Sequence, residues 1–352
     1  MMRILEAQAP ARQTATDTIQ TLSSRLSSAT LLEDRRAAIL GLRSFAKTYP
    51  ASVASGALRD LIAALRRDGE DSDTIKVVLE TILMLFEPDE NSPEASEEIT
   101  LWLADEFTQR QDNVTALLDL LESGEFYLRL YGLQILSHVS TLRAQRTQEA
   151  VFAAPLGVSR ITAVLDDRRE AVRNEALILL VALTPTSAEL QKVVAFENAF
   201  DRNFALVEGD GGLTEGSAIV QDCLSLFANL LRLNTSNQSY FREIGGIVKI
   251  RKLLLAAVEQ EDSVDGVSEW MKPQRDINVW GLLGVIQLFL AVGAQGTMVN
   301  QQAFWQTGVL QIVLCIAFHP GFNSNVRAKS LQTCGDIIRG NQGLQERFGD
   351  LP

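Results

Sequence analysis

Five residues of this 352-residue chain carry the side chains that most often bind metals or attack substrates: Cys223, Cys315, Cys334, His138 and His319. A zinc site gathers four such ligands, or three with an open position. The nearest pair, Cys315 and His319, is four residues apart and can share a helix face, but nothing close by completes a set. His138 follows the apolar run Leu133–Leu136 and reads as a helix-end or packing residue; His319 stands in a helix-ending His-Pro-Gly turn. The cysteines are odd in number, far apart and each within an apolar run, which predicts buried, reduced thiols. Gly209, Gly211, Gly212 and Gly216 lie among acidic residues with no Lys-Ser or Lys-Thr after them, so a phosphate would be repelled. Gly245 and Gly246 form a turn without a phosphate partner. Neighbouring carboxylates such as Asp166 with Asp167, or Glu97 with Glu98, fall at turns and imply no acid–base pair. Trp102, Trp270, Trp280 and Trp305 occur singly, with no basic groove to make a stacking platform. The sequence therefore predicts no catalytic, metal or cofactor site, and no enzyme.

The surrounding elements point to a different use. Leu and Ala are abundant while Pro and aromatic residues are modest, a mix that suits many ordinary helices better than a sandwich or barrel. The formal charge of −12 gives no general electrostatic reason to approach nucleic acid or anionic lipid. No continuous apolar segment between Met1 and Leu32 resembles a signal peptide. Ala176–Leu183 and Gly281–Val292, the most apolar stretches, are too short to span a bilayer.

One pattern recurs, a leading residue followed by apolar residues four and seven places on. It appears at Arg35/Ile39/Leu42, Ile75/Leu79/Ile82, Arg129/Leu133/Leu136, Arg173/Leu177/Leu180, Val220/Leu224/Phe227, Val279/Leu283/Ile286 and Arg327/Leu331/Cys334. The leading positions are 40, 54, 44, 47, 59 and 48 residues apart, close to the ~40–47 of armadillo and HEAT repeats. Two acidic insertions, Glu87–Glu98 and Glu259–Glu269, account for the long intervals and read as solvated loops. Short polar turns at Ser123–Glu125 and Asp166–Arg169 each follow an apolar helix, Val114–Leu121 and Val158–Leu165. The predicted fold is all-α: an armadillo/HEAT-like, right-handed superhelical solenoid of about seven repeats, forming a single domain over 1–352.

Such arrays bind proteins, and eight polar residues are candidates for the contact. Asn229 interrupts an apolar helix at a place where an armadillo array can offer an Asn to the backbone of an extended peptide. The alternative is that it satisfies a neighbouring carbonyl. Asn229 has no Asn counterpart at Gln134 or Ile178 in roughly equivalent helices, which weakens the peptide-adaptor reading. Asn234, Asn237 and Gln238 follow that helix, where capping and turn formation compete with binding. In Val194–Phe200, Phe196 and Phe200 are one turn apart and predicted to pack together, leaving Glu197 and Asn198 exposed to a partner. Arg173 and Asn174 open a long helix, where a salt bridge or cap is the alternative role.

These segments carry a family resemblance. VAFENAF at 194–200, with IVQDCLSLFANLLRLNTSNQSYFRE at 219–243, resembles the globular head of the general vesicular transport factors. TLLEDRR at 30–36, QDNVTALLDLL at 111–121 and PLGVSRITAVLDDRREAVRN at 155–174 extend the match, so that it covers most of 15–255. The resemblance implies a peripheral membrane protein that tethers vesicles between endoplasmic reticulum and Golgi. It also implies binding to a Rab-type small GTPase, golgin-like proteins and SNARE proteins, and homodimerisation through a coiled-coil tail. No sustained heptads occur here, and no polar cap precedes Leu351 and Pro352. The chain thus reads as the N-terminal part of a larger head without its tail, acting in the cytoplasm on Golgi and transport membranes. A peptide-binding adaptor and an enzyme regulatory scaffold are the competing functions.

Overall fold

The structure, a computed structural model, describes residues 14–263 and 266–350, and all regular structure among these residues is helical. Leu351 and Pro352, on which the expectation of a missing cap rests, lie outside the described residues, as do positions 264 and 265 of the second acidic segment. The chain forms two compact units, 1–157 and 158–352.

In the first unit the helices are α1 (Ala15–Ser28), α2 (Leu32–Ala46), α3 (Pro50–Arg67), α4 (Ser72–Phe86), α5 (Glu97–Thr108), α6 (Gln111–Asp119), α7 (Phe126–Leu142) and α8 (Ala144–Ala153). Helix α1 begins where Thr14 and Asp17 form a reciprocal capping box, and α3 begins on Pro50, whose missing N–H costs nothing there. Helices α2, α4 and α7 carry the first three repeat triplets and pack in succession, α2 on α4 and α4 on α7. Ile39, Leu42, Ile75, Leu79, Ile82, Leu133 and Leu136 are fully buried in that layer. Arg35, the leading residue of α2, reaches Asp68 with two bonds of 3.2 and 2.5 Å and also donates to the carbonyls of Ala29 and Thr30. Residues 87–96 of the first acidic insertion are irregular but anchored to their neighbours, whereas Glu97 and Glu98 open α5, so this loop ends earlier than predicted. Glu94 accepts from the backbone N–H and hydroxyl of Ser52, and Ser92 donates to the carbonyl of Thr48. His138 stacks on Phe86 with ring centroids 5.3 Å apart, a packing role.

The second unit contains α9 (Gly157–Ala163), α10 (Glu170–Leu183), α11 (Ala188–Phe196), α12 (Ala199–Gly209), α13 (Gly212–Glu215), α14 (Ala218–Leu231), α15 (Thr235–Glu243), α16 (Gly246–Glu261), α17 (Lys272–Leu288), α18 (Thr297–Gln306), α19 (Val309–Phe318), α20 (Ser324–Ile338) and α21 (Gln342–Gly349). The remaining four triplets fall in α10, α14, α17 and α20, which again pack in succession. Two shorter helices precede each later long one, as in α15–α16–α17 and α18–α19–α20, the three-helix unit of an armadillo-like repeat. Phenylalanines run through this core: Phe241 lies 5.0 Å from Phe200 and 5.4 Å from Phe289, which lies 5.5 Å from Phe304.

Four further details depart from the sequence reading. Residues 259–261 continue α16, so the second acidic loop starts later than predicted. Glu261 turns inward to the fully buried Arg275, which also meets Asp276 at 2.7 Å, the Gly321 carbonyl at 2.6 Å and the Phe322 ring. Leu331 is 47% exposed, because α20 is the last described helix of its layer and no described residue covers that face. Cys223 and Cys334 are buried, but Cys315 is exposed. Its helix, VLQIVLCIAF, is apolar almost all round, and periodicity alone does not distinguish its faces.

Candidate protein-binding surface

All eight candidate residues lie in the second unit, on α10, the α11–α12 corner, α14 and α15. A helix leaves its last carbonyls without intrahelical donors, and this unit answers with side-chain amides seven residues further on. Gln191 donates to the carbonyl of Thr184 at 2.8 Å, Asn237 to Leu230 at 2.9 Å, Gln238 to Leu231 at 2.9 Å and Gln345 to Ile338 at 3.1 Å. The first unit repeats the device between Asn113 and Glu106 at 3.2 Å.

The same amides also join neighbouring repeats. Asn234 donates to Gln191 Oε1 at 3.0 Å, and Asn237 to the Gln191 carbonyl at 3.1 Å. Gln238 donates to the Leu288 carbonyl at 3.2 Å and accepts from Asn300 at 3.0 Å. Asn234 further caps α15 by accepting from the Asn237 N–H. These residues are buried: Asn234, Asn237 and Gln238 are 6%, 1% and 6% exposed. Asn229 is half-buried, and its amide donates to the Val181 carbonyl at 3.0 Å and the Thr184 hydroxyl at 3.2 Å. The burial patterns align Asn229 with Ala182 of α10 and Leu288 of α17, so the comparison with Ile178 and Gln134 is four residues out of register. No Asn ladder exists in either alignment.

The α11–α12 corner is differently placed. Helix α11 ends at Phe196, and Asn198 takes a left-handed conformation with φ 64° that turns the chain into α12. Gly245 and Gly308 hold the equivalent corner in the next two repeats, both with φ 79°. Asn is among the few side chains that tolerate this region. The turn breaks the helical spacing between Phe196 and Phe200, so the predicted pair separates. Phe200 is buried, whereas Phe196 is 65% exposed and lies against Tyr240 with centroids 5.2 Å apart. Asn198 is exposed and Glu197 half-buried, its carbonyl accepting from Arg202 at 2.7 Å. On α10 two buried polar atoms, Arg173 Nε and Asn174 Oδ1, have no hydrogen-bond partner.

Sequence reasoning missed Gln191, Asn300 and Gln301, which complete the amide network. For Gln191 the signal was present, an amide seven residues beyond Thr184 at the end of α10; Asn300 reaches Phe289 and Gln301 reaches Asp336 and Arg339 at other spacings, which no local pattern marks. Among the described residues, no group of three or more His, Cys, Asp or Glu could hold a metal ion. Burial pushes the Cys334 thiol up to about 12 and the Cys223 thiol further, which suits packing and not nucleophilic attack.

No family model matches the chain. It is 35% identical over 372 residues to the intracellular protein transport protein USO1 of Saccharomyces cerevisiae, covering 98% of this chain and 20% of the yeast protein. It is 33% identical over 350 residues to the general vesicular transport factor p115 of Homo sapiens, covering 97% of this chain and 35% of the human one. The crystal structure of Uso1-2 matches with a TM-score of 0.90 at 35% identity, over 98% of this chain and 54% of that one. The chain thus spans roughly a fifth to a third of the length of these two curated relatives. Identity sustained over almost all of the chain, together with a shared backbone, means that the chain belongs to the general vesicular transport factor family.

Proposed function

We propose that this chain is a non-catalytic, partner-binding head region of a vesicle tethering factor acting between the endoplasmic reticulum and the Golgi. The observation that carries the reading is the match of almost all of this chain to parts of two proteins named for intracellular and vesicular transport. The fold adds a reason for the mode of action, since stacked repeats present long surfaces to partners. Residues 1–352 belong, in this reading, to one larger head. The full protein dimerises through a coiled coil and meets Golgi and transport membranes peripherally, through a Rab-type GTPase, golgin-like proteins and SNARE proteins. No helix among the described residues is long and apolar enough to cross a membrane.

Within the second unit, the α11–α12 corner is the proposed partner contact. It combines the exposed ring of Phe196 with Glu197 and Asn198, and the half-buried Arg173 and Asn174 on α10 form a second contact. The amides of Asn229, Asn234, Asn237 and Gln238 hold that surface together from beneath.

Liposomes bearing a membrane-anchored Rab-type GTPase test the reading. The chain should float with GTP-loaded and not with GDP-loaded liposomes, and Phe196→Ala with Glu197→Ala should reduce recovery while melting as the parent does. Equal recovery with both nucleotides would remove the GTPase from the proposal.

A further inference from the structure

Helices α14 and α17 enclose a cleft of about 320 Å³ whose construction points to a ligand. Leu224 forms part of its floor, and Ile277 and Trp280, each 50% exposed, stand along its α17 side. Gly281 and Gly284 lie in the middle of α17, where each glycine is less favourable than alanine by roughly 1 kcal/mol. The spacing shows what these glycines permit. A Cβ at 281 would stand 2.9 Å from Leu224 Cδ1, closing the cleft, and one at 284 would stand 3.2 Å from Lys329 Nζ.

Lys329 therefore crosses Gly284 to place its ammonium 3.4 Å from the centroid of the Trp280 ring. Burial lowers its pKa, and no carboxylate among the described residues pairs with it. At the other end Arg232 lines the cleft, exposed and likewise without an ion pair. No Asp or Glu lines the cleft, in a chain whose formal charge is −12. Of the two acids adjacent in sequence to lining residues, Asp222 lies one heptad before Asn229 and so on the side of α14 that faces α10, and Asp276 is held by Arg275 and the Asn323 N–H.

We propose that the α14–α17 cleft binds a short acidic segment of a partner protein, seating a bulky apolar side chain against Trp280 and Leu224 between Lys329 and Arg232. Carboxylates on the segment supply the counter-charges that the fold omits, and the gap over Gly281 admits the apolar side chain. This site is independent of GTPase-dependent recruitment, and its failure would leave that reading untouched.

Fluorescence anisotropy of the whole chain with a short labelled peptide carrying glutamates around a central Leu-Phe pair tests the site. The comparison peptides replace glutamate by glutamine or by lysine. The acidic peptide should bind best and weaken with added salt. Lys329→Gln and Arg232→Gln should each weaken it about three- to tenfold, and Gly281→Leu should abolish it. Circular dichroism melting of the two charge variants confirms that they stay folded. Binding as tight for the glutamine or lysine peptide, no binding of the acidic peptide, or binding unaffected by both charge variants would overturn the proposal. So would concentration-dependent dimerisation that blocks the peptide, since the occupant would then be a second copy of the chain.

Discussion

Replacing Asn237 by Ala distinguishes an amide that holds the array together from one kept for a partner. Its side chain is 1% exposed and donates twice, to the carbonyl of Leu230 at 2.9 Å and to that of Gln191 at 3.1 Å. The first bond satisfies an acceptor in the last turn of α14, and the second ties α15 to α11. A net hydrogen bond contributes about 0.5–1.5 kcal/mol, and a buried acceptor left unpaired costs about 1–3 kcal/mol. Two bonds lost at a dry site should therefore destabilise the second unit by about 2–4 kcal/mol. Asn229→Ala, at a half-buried site, should cost only about 1 kcal/mol. Urea unfolding monitored by circular dichroism reads the difference as a shift in midpoint at constant slope. A double-mutant cycle with Gln191→Ala should show a coupling of about 0.5–3 kcal/mol. If Asn237→Ala costs less than about 0.5 kcal/mol, or no more than Asn229→Ala, the bracing role is refuted and the amide is free for binding.

Three further outcomes follow from the same contacts. Asn198→Gly should leave the melting temperature nearly unchanged, because Gly245 and Gly308 occupy the same left-handed corner. Asn198→Val should cost about 1–2 kcal/mol by differential scanning calorimetry. Arg275→Ala leaves Glu261 with only Lys272 at 3.7 Å and Asp276 with only the Asn323 N–H, and should destabilise the second unit by about 3 kcal/mol, measured by urea unfolding. Burial alone would raise the pKa of Asp68, but hydrogen bonding to Arg35 and the charge of Arg67 outweigh it and hold the carboxyl below its ordinary value. The sign follows from linkage: its stabilisation is present above the unfolded pKa of about 3.9 and disappears as pH falls through the lower folded value. Thermal melts below about pH 4 should show the first unit losing stability, with less pH dependence in Asp68→Asn.

The repeat phase was readable because burial of one helix stripe imposes its own period. The seven leading positions fall in seven different helices of 14 to 17 residues, and six of the triplets place their apolar residues in the core. Leu331 defeats the rule because its spacing matches its predecessors while no later long helix among the described residues packs on α20. Cys315 defeats it because VLQIVLCIAF has no polar face to mark the outside. Phe196 and Phe200 were paired by a helical interval that the left-handed Asn198 interrupts. That conformation is a property of two backbone dihedrals, and the residue types around it do not announce it.

The eight candidate residues show the same division. Their types predicted polar contacts, but each amide could equally meet a partner or a carbonyl of the chain. Only the fold set Asn237 seven residues beyond Leu230 and beside Gln191, while leaving Glu197 and Asn198 at the surface. The sequence by itself determined the helices and the repeat register. These depend on local propensity and hydrophobic period. Tertiary structure decided which polar groups the fold consumes and which cations, Lys329 and Arg232, it leaves beside an open cleft. Those outcomes depend on residues some 40 to 60 positions apart meeting across repeats, as Asn234 meets Gln191 and Asn300 meets Gln238, and no local pattern encodes such meetings.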